Sequence, residues 1–177
     1  IVGKSDHGCV QAALTADRPV EEVIEEVGRT PLPPYIRREP AAGDRERYQT
    51  VYARNTGSVA APTAGFHLTE PLLAEMEKRG VERAAVTLHV GIGTFRPLTD
   101  EDAANDSLHE EYCRVSADTV ARVAACRGRG GRVIAVGTTT TRALETAALS
   151  GTLAPFEGWT KLFIKPPFRF RVVDLLV

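Results

Sequence analysis

The sequence predicts an α/β fold, and three observations carry that reading. From Val81 onward, apolar runs of strand length alternate with segments of helical period, the order expected of a parallel or mixed sheet covered by helices. One such unit is Arg132-Val-Ile-Ala-Val136, then Gly137, then Thr138 to Thr141, then the segment Arg142 to Leu149. That is the strand, glycine turn and helix order of an α/β ligand-binding unit. Third, 177 residues with 43% hydrophobic and 25% charged content supply a core for one ordinary domain, or one and a small piece.

Ile1 to Leu14 reads as a β-hairpin whose turn is Lys4-Ser-Asp-His-Gly8, with His7 solvated in the turn. A lone hairpin is barely stable, so its partner strands are expected outside this sequence. Pro19 to Val27 is a short helix with Val20, Val23, Ile24 and Val27 on one face, ended by Gly28. Pro31, Pro33 and Pro34 give an extended connector. Asp44 to Arg54 is a second helix, N-capped by Asp44, with Tyr48, Val51 and Tyr52 as its apolar stripe.

Gly57 to Thr69 is rich in small residues and nearly uncharged. It reads as a short strand, a close-approach loop carrying His67, and a helix start capped by Thr69. Gly65 is free to take a positive φ. The helix has Pro71 in its first turn, runs through Leu72, Leu73 and Met76, and stops at Gly80. Val81 to Val90 is a strand that brings His89 to its C-terminal end, beside the turn Gly91-Ile-Gly93-Thr94. Thr99 to Asn105 is a loop, and Ser107 to Tyr112 follows it. Ser116 to Arg127 is a helix capped by Ser116 with Val120, Val123 and Ala124 inward, broken by Gly128, Gly130 and Gly131. Phe163 to Val177 gives two strand-like runs split by Pro166-Pro167.

Charge sets limits on function. With 22 basic and 23 acidic residues the formal charge is −1, so any nucleic-acid partner must be met by local patches. Arg37, Arg38, Arg45, Arg47 and Arg54 form one such patch around Tyr48; the plainer alternative is a solvated face paired with Glu39 and Glu46. Cys9, Cys113 and Cys126 match neither a zinc pattern nor a disulfide framework, which fits a reducing cytoplasm. His109 and Cys113 with the other histidines make only a loose zinc spacing, and no metal is expected. No apolar run approaches a membrane span, no signal peptide is visible, and there is no internal repeat.

Candidate chemistry sits at the turns. His67, His89 and His109 each adjoin a glycine- or turn-rich feature, and imidazole transfers protons near neutral pH. Gly91-x-Gly93 is a partial nucleotide motif, since the sixth position is Arg96. Gly137 with Thr138 and Thr139 places a helix N-terminus where an anionic group is favoured. Simple capping by Thr138 or Thr139 is the alternative, and the missing lysine of a phosphate-hydrolysing loop argues against that chemistry.

The stretch Ala60-Ala-Pro-Thr-Ala-Gly-Phe-His-Leu-Thr69 resembles the Ala-Ala-Pro-Thr-Ala-Gly-Leu-His-Phe-Thr signature of the S-adenosylmethionine:tRNA ribosyltransferase-isomerase family of queuosine biosynthesis, the QueA family. Further blocks are similar in the same order: Pro31 to Ile36, Glu46 to Arg54, Thr87 to Pro97, Val136 to Arg142, and the segment Phe163 to Asp174. The resemblance runs from about Val20 to Val177. It implies a large mixed-sheet, barrel-like main domain at 17–177, with 1–16 the tail of an inserted small β-barrel domain.

The implied activity is transfer and isomerisation of the ribosyl moiety of S-adenosylmethionine onto 7-aminomethyl-7-deazaguanine at the tRNA wobble position. S-adenosylmethionine is a consumed cosubstrate, no cofactor is tightly bound, and the protein is expected to be a cytoplasmic monomer. By this resemblance His67, His89, His109 and Glu111 are candidates for acid, base or orienting roles. Thr63, Gly65, Gly91, Gly93, Thr94, Arg96, Gly137, Thr138, Thr139 and Arg142 are candidates for holding S-adenosylmethionine, and Arg37, Arg38, Arg45, Arg47 and Tyr48 for tRNA. Asp106-Ser-Leu-His109 departs from the family's His-x-Met-His, and Cys113 replaces a frequent tyrosine. Ile1 and Val177 both lie in strand-like sequence, so the chain is expected to be cut at both ends and not to complete the reaction alone. A catalytically inactive tRNA-binding fragment and an unrelated α/β nucleotide-binding enzyme are the alternatives.

Overall fold

A computed structural model describes residues 2–4, 10–95 and 109–177. The chain divides into two compact units, Ile1–Thr30 and Pro31–Val177. His7, Cys9, Arg96, Asp106 and the loop expected at Thr99 to Asn105 lie outside the described residues.

In the first unit, β1 (Gly3–Lys4) and β2 (Val10–Gln11) pair antiparallel, with Gly3 opposite Gln11. The helix α1 (Val20–Val27) starts after Pro19, and the Gly28 N–H closes onto the Ile24 carbonyl at 2.8 Å. Its apolar stripe is only partly covered: Ile24 and Val27 remain 50% and 70% exposed.

The second unit opens on the proline-rich connector, which folds into a turn where the Ile36 N–H meets the Pro33 carbonyl at 2.9 Å. The second expected helix is a single turn, α2 (Asp44–Arg47), and does not reach Arg54. Tyr48 leaves helical geometry, the Gln49 side-chain oxygen takes the Thr50 N–H at 2.9 Å, and β-branched Thr50 and Val51 favour other conformations. Asp44 is not the N-cap; Gly43 is.

The expected strand before Pro62 is an extended strap rather than a regular strand. The Val59 N–H donates to the Val90 carbonyl at 2.9 Å. The Ser58 hydroxyl accepts the Val90 N–H at 3.0 Å and donates to the Leu88 carbonyl at 3.1 Å, standing in for a ladder partner. A 3₁₀ turn at Thr63–His67 leads to α3 (Glu70–Lys78), capped by the Thr69 hydroxyl on the Leu72 N–H at 3.3 Å.

Three strands form an antiparallel sheet: β3 (Thr87–His89), β4 (Glu111–Val115) and β6 (Phe156–Thr160), with β4 central. Register places His89 opposite Tyr112 and Tyr112 opposite Trp159. β3 is shorter than the expected Val81 to Val90, because residues before Thr87 are tied to other elements. The Ala85 carbonyl accepts from the Thr119 hydroxyl at 2.8 Å, and Glu82 pairs with Arg129. β5 (Ile134–Ala135) and β7 (Leu175–Leu176) make a separate parallel pair, so the unit is mixed in topology. Among the described residues the strands form three small sheets; one large barrel-like sheet is not seen. The strand expected near Phe163 is absent, and the regular strand lies at β6 instead.

Two helices follow β4. α4 (Ala117–Gly128) is capped by the Ser116 hydroxyl on the Thr119 N–H at 3.1 Å. Thr119 and Val123 are its buried residues, while Ala124, expected inward, is exposed. α5 (Thr138–Ala147) packs against β3, β4 and β6. The core joins Cys113 and Val115 of β4 to Val123, Val133, Ala143, Leu144, Ala147 and Val172. Glu145 on α5 is 1% exposed, and its carboxylate accepts the backbone N–H groups of Arg171, Val172 and Val173, each at 2.9 Å.

Candidate functional site

The helix α5 begins four residues before the expected Arg142, so the threonines are its first turn rather than a preceding loop. Gly137 makes that possible with φ +87, ψ 150, a conformation open to glycine and strained for other residues. Its N–H is held by the Val177 carbonyl at 2.8 Å. Thr140 and Thr141 donate their hydroxyls back to the Val136 and Gly137 carbonyls. No side chain caps the helix, so the capping alternative for Thr138 and Thr139 fails, and the first-turn N–H groups keep the donor capacity of a helix start.

A cleft of about 510 Å³ lies at this helix start. It is lined by the Ala60 to Ala64 strip, by Val90, Thr94 and Phe95, by Gly137 to Thr139, and by Tyr35 and Tyr48. A Cβ at Gly137 would lie 3.9 Å from the Ala64 Cβ, so the small-residue strip and the glycine turn pack directly together. Of the residues expected to hold S-adenosylmethionine, the cleft gathers Thr63, Thr94, Gly137, Thr138 and Thr139. Gly65 does something else. Its φ is not positive, and a Cβ there would fall 2.0 Å from the Tyr52 hydroxyl and 2.8 Å from Thr50 Cγ2, so glycine is needed for packing within the protein.

A second cluster is built on β4. Glu111 and Arg142 are paired at 2.5 Å with both side chains about 10% exposed. The guanidinium also donates to the carbonyls of Leu162 (2.9 Å), His109 (2.8 Å) and Thr160 (3.0 Å). Four of its five N–H groups are thus used inside the protein, so Arg142 is placed as an internal tie rather than toward a ligand carboxylate. Burial pushes the Glu111 carboxyl above its ordinary range, and Arg142 and the Gly91 N–H pull against that shift. His109 is exposed and packs on Gly93, where a Cβ would fall 2.4 Å from its ring. Glu111, His109, Gly91 and Gly93 therefore adjoin one another.

The remaining histidines are elsewhere. His89 stacks on Tyr112 with ring centres 5.6 Å apart and 16° between planes, and it packs against Gly57. His67 is exposed at the end of the 3₁₀ turn. Neither lines the cleft. Cys113 is fully buried, and burial pushes its thiol up to about 11. Among the described residues no three His, Cys, Asp or Glu side chains are grouped to hold a metal ion, and no helix is long and apolar enough to cross a membrane.

The basic patch is divided. Arg38 grips Asp44 through two bonds of 2.6 and 2.7 Å, and the Ala41 N–H adds a third to the same carboxylate. These bonds hold Asp44 well below the usual carboxylate range. Tyr48, expected beside the arginines on a tRNA surface, lines the cleft instead. Sequence reading missed Tyr35, Phe95 and Glu145. Tyr35 follows a proline pair and carried no periodicity, and Glu145 looked like an ordinary helix-surface acid.

Fold and site together define a mixed α/β protein with a ligand-sized cleft at a glycine-led helix start and an ion-paired cluster beside a glycine turn. The chain belongs to the queuosine biosynthesis protein family, whose model matches residues 1–177. It is 56% identical over 176 residues to the S-adenosylmethionine:tRNA ribosyltransferase-isomerase of Acidithiobacillus ferrooxidans, covering 99% of this chain and 51% of that protein. It is 54% identical over 165 residues to the protein of the same name from Xanthomonas euvesicatoria pv. vesicatoria, covering 90% and 46%. The chain spans about half the length of these curated relatives. The crystal structure of S-adenosylmethionine tRNA ribosyltransferase from Thermotoga maritima is similar with a TM-score of 0.50 and 41% identity, over 64% of this chain and 34% of that one.

Proposed function

We propose that this chain forms ligand-binding and catalytic parts of an enzyme that transfers and isomerises the ribosyl moiety of S-adenosylmethionine onto 7-aminomethyl-7-deazaguanine at the tRNA wobble position. The product is epoxyqueuosine in tRNA, with adenine and methionine released. The observation that carries this reading is the cleft. Three blocks far apart in sequence, around Thr63, Thr94 and Gly137 to Thr139, converge on a space within the range of small-molecule sites. The α5 N-terminus supplies N–H donors and a positive dipole end for the methionine carboxylate.

The sulfonium acidifies the C5′–H bonds of the ribosyl unit, so a base must take a proton there, and departure of adenine calls for an acid. Glu111 and His109 are the best-supported pair for these roles. They adjoin each other and the Gly91 to Gly93 turn, which leads into the cleft wall at Thr94. Arg142 holds the pair in place as a positioning residue. His89 and His67 remain candidates for acid, base or orienting roles, although neither lines the cleft. Arg37, Arg45 and Arg47 are proposed to meet tRNA phosphates, with Arg38 shaping the patch through Asp44.

The test follows adenine release from S-adenosylmethionine by the protein carrying this sequence, with tRNA bearing the precursor base. Release matched by epoxyqueuosine in the tRNA is the expected result. Binding of both substrates without release would replace the enzyme reading by a tRNA-binding module. Absence of S-adenosylmethionine binding would overturn the reading of the cleft.

A further inference from the structure

Tyr35 and Tyr48 have no part in the proton transfers above, yet both face the cleft beside the glycine-led helix start. Tyr35 lies close enough to Tyr48 to act on its hydroxyl. Tyr48 is braced from a second side by Phe66, which meets its ring edge-on at 5.5 Å between centres. Phe66 belongs to the same 3₁₀ turn that continues the small-residue strip of the cleft. Tyr35 is 69% exposed, so its ring offers open aromatic surface at the edge of the cleft. The rest of the lining is small or aliphatic: Ala60, Ala61, Pro62 and Ala64, with Val90 and Leu176. A flat, apolar-faced ring is the ligand moiety such a surface fits. Aromatic side chains stack on nucleobases through their π faces, and an already ordered ring loses little freedom on binding.

We propose that Tyr35 and Tyr48 are the purine-binding wall of the cleft and stack the adenine of an S-adenosyl ligand. This rests on the reading of the cleft as an S-adenosylmethionine site and adds an orientation to it. Adenine lies at the tyrosine side, and the amino-acid end lies toward Gly137 to Thr139. The pair thereby selects a purine nucleoside end rather than methionine alone. Burial, with Tyr35 adding to it, pushes the Tyr48 hydroxyl up to about 12, so it stays protonated at neutral pH.

Saturation-transfer NMR on the full chain with 5′-methylthioadenosine and, separately, L-methionine tests this. The wild-type protein is expected to pass saturation to the adenine H2 and H8 protons more strongly than to the ribose protons. Tyr35→Leu and Tyr48→Leu should each weaken 5′-methylthioadenosine binding by roughly 5- to 150-fold, the span of a lost base stack. They should leave the methionine signal within about twofold. Tyr48→Phe, which keeps the ring, should stay within about fivefold of wild type. Tyr35 is exposed, so Tyr35→Leu keeps the test open if a Tyr48 variant fails to fold. Unchanged 5′-methylthioadenosine binding in Tyr35→Leu, or equal loss of both ligands, would overturn the proposal while the cleft reading stands. A wild-type chain that binds neither ligand would overturn both.

Discussion

Arg142 illustrates how a residue's chemistry and its placement separate. As a type it suits a ligand carboxylate, and by position in the sequence it follows an anion-ready turn. In the fold it points from the first turns of α5 to the start of β4 and the end of β6, where carbonyls and Glu111 take its donors. Removing one member of a buried pair leaves the other charge uncompensated. Arg142→Met is therefore expected to lower unfolding stability by about 3–5 kcal/mol, and Glu111→Gln by less, since it can keep a neutral hydrogen bond; urea unfolding of both variants measures the difference. Gly137 is a second residue whose role is conformational. Gly137→Ala is expected to cost about 1–3 kcal/mol for its backbone conformation. Thermal unfolding reads that loss, and 5′-methylthioadenosine binding should weaken in parallel because Gly137 itself lines the cleft.

At the scale of elements, local signals set helix starts well. Thr69 and Ser116 were legible as caps, and both hydroxyls accept the N–H three residues on. Ser116→Ala is expected to destabilise by about 1 kcal/mol, seen as a lower urea midpoint with an unchanged slope. Central strand β4 was not legible. Its inward positions are Glu111, Cys113 and Val115, and an inward glutamate breaks the alternation that marks a half-buried strand. Only Arg142, 31 residues later in sequence, makes that glutamate tolerable inside. The same holds for Glu145 and the segment 171–173. Three backbone N–H groups there find their acceptor on α5, not in a sheet. Glu145→Gln offers one oxygen where the carboxylate offers two. The amides of Arg171, Val172 and Val173 are expected to exchange hydrogen faster in that variant while the β4 amides stay protected, a contrast that exchange mass spectrometry resolves.

For the molecule as a whole, charge placement governs pH and salt response. Asp44 titrates well below its ordinary value in the folded chain because Arg38 and the Ala41 N–H favour the carboxylate. A depressed carboxyl contributes its full stability above the unfolded value of about 3.9, and the contribution is lost as pH falls through and below that point. Arg38→Met should therefore be less stable than wild type near neutrality and converge toward it in acid; denaturation at pH 7, 5 and 3 follows the gap. For tRNA, the remaining arginines carry the expectation. A variant with Arg37, Arg45 and Arg47 all changed to Ala should bind tRNA more weakly and with a shallower salt dependence. An unchanged salt slope would reduce the patch to a solvated face.

The sequence by itself determined the α/β class, the Thr69 and Ser116 caps, the glycine-led turn before α5 and the blocks that tie the chain to the queuosine biosynthesis family. These depend on local backbone preferences and on residue types read in order. Tertiary structure alone decided that Thr63, Thr94 and Gly137 to Thr139 share a cleft with Tyr35 and Tyr48, that Arg142 turns inward, and that Gly65 serves Tyr52. Each of those outcomes is a contact between residues 13 or more apart in the chain. Such contacts are set by which donors, acceptors and rings the packed elements bring together, and no local pattern records them.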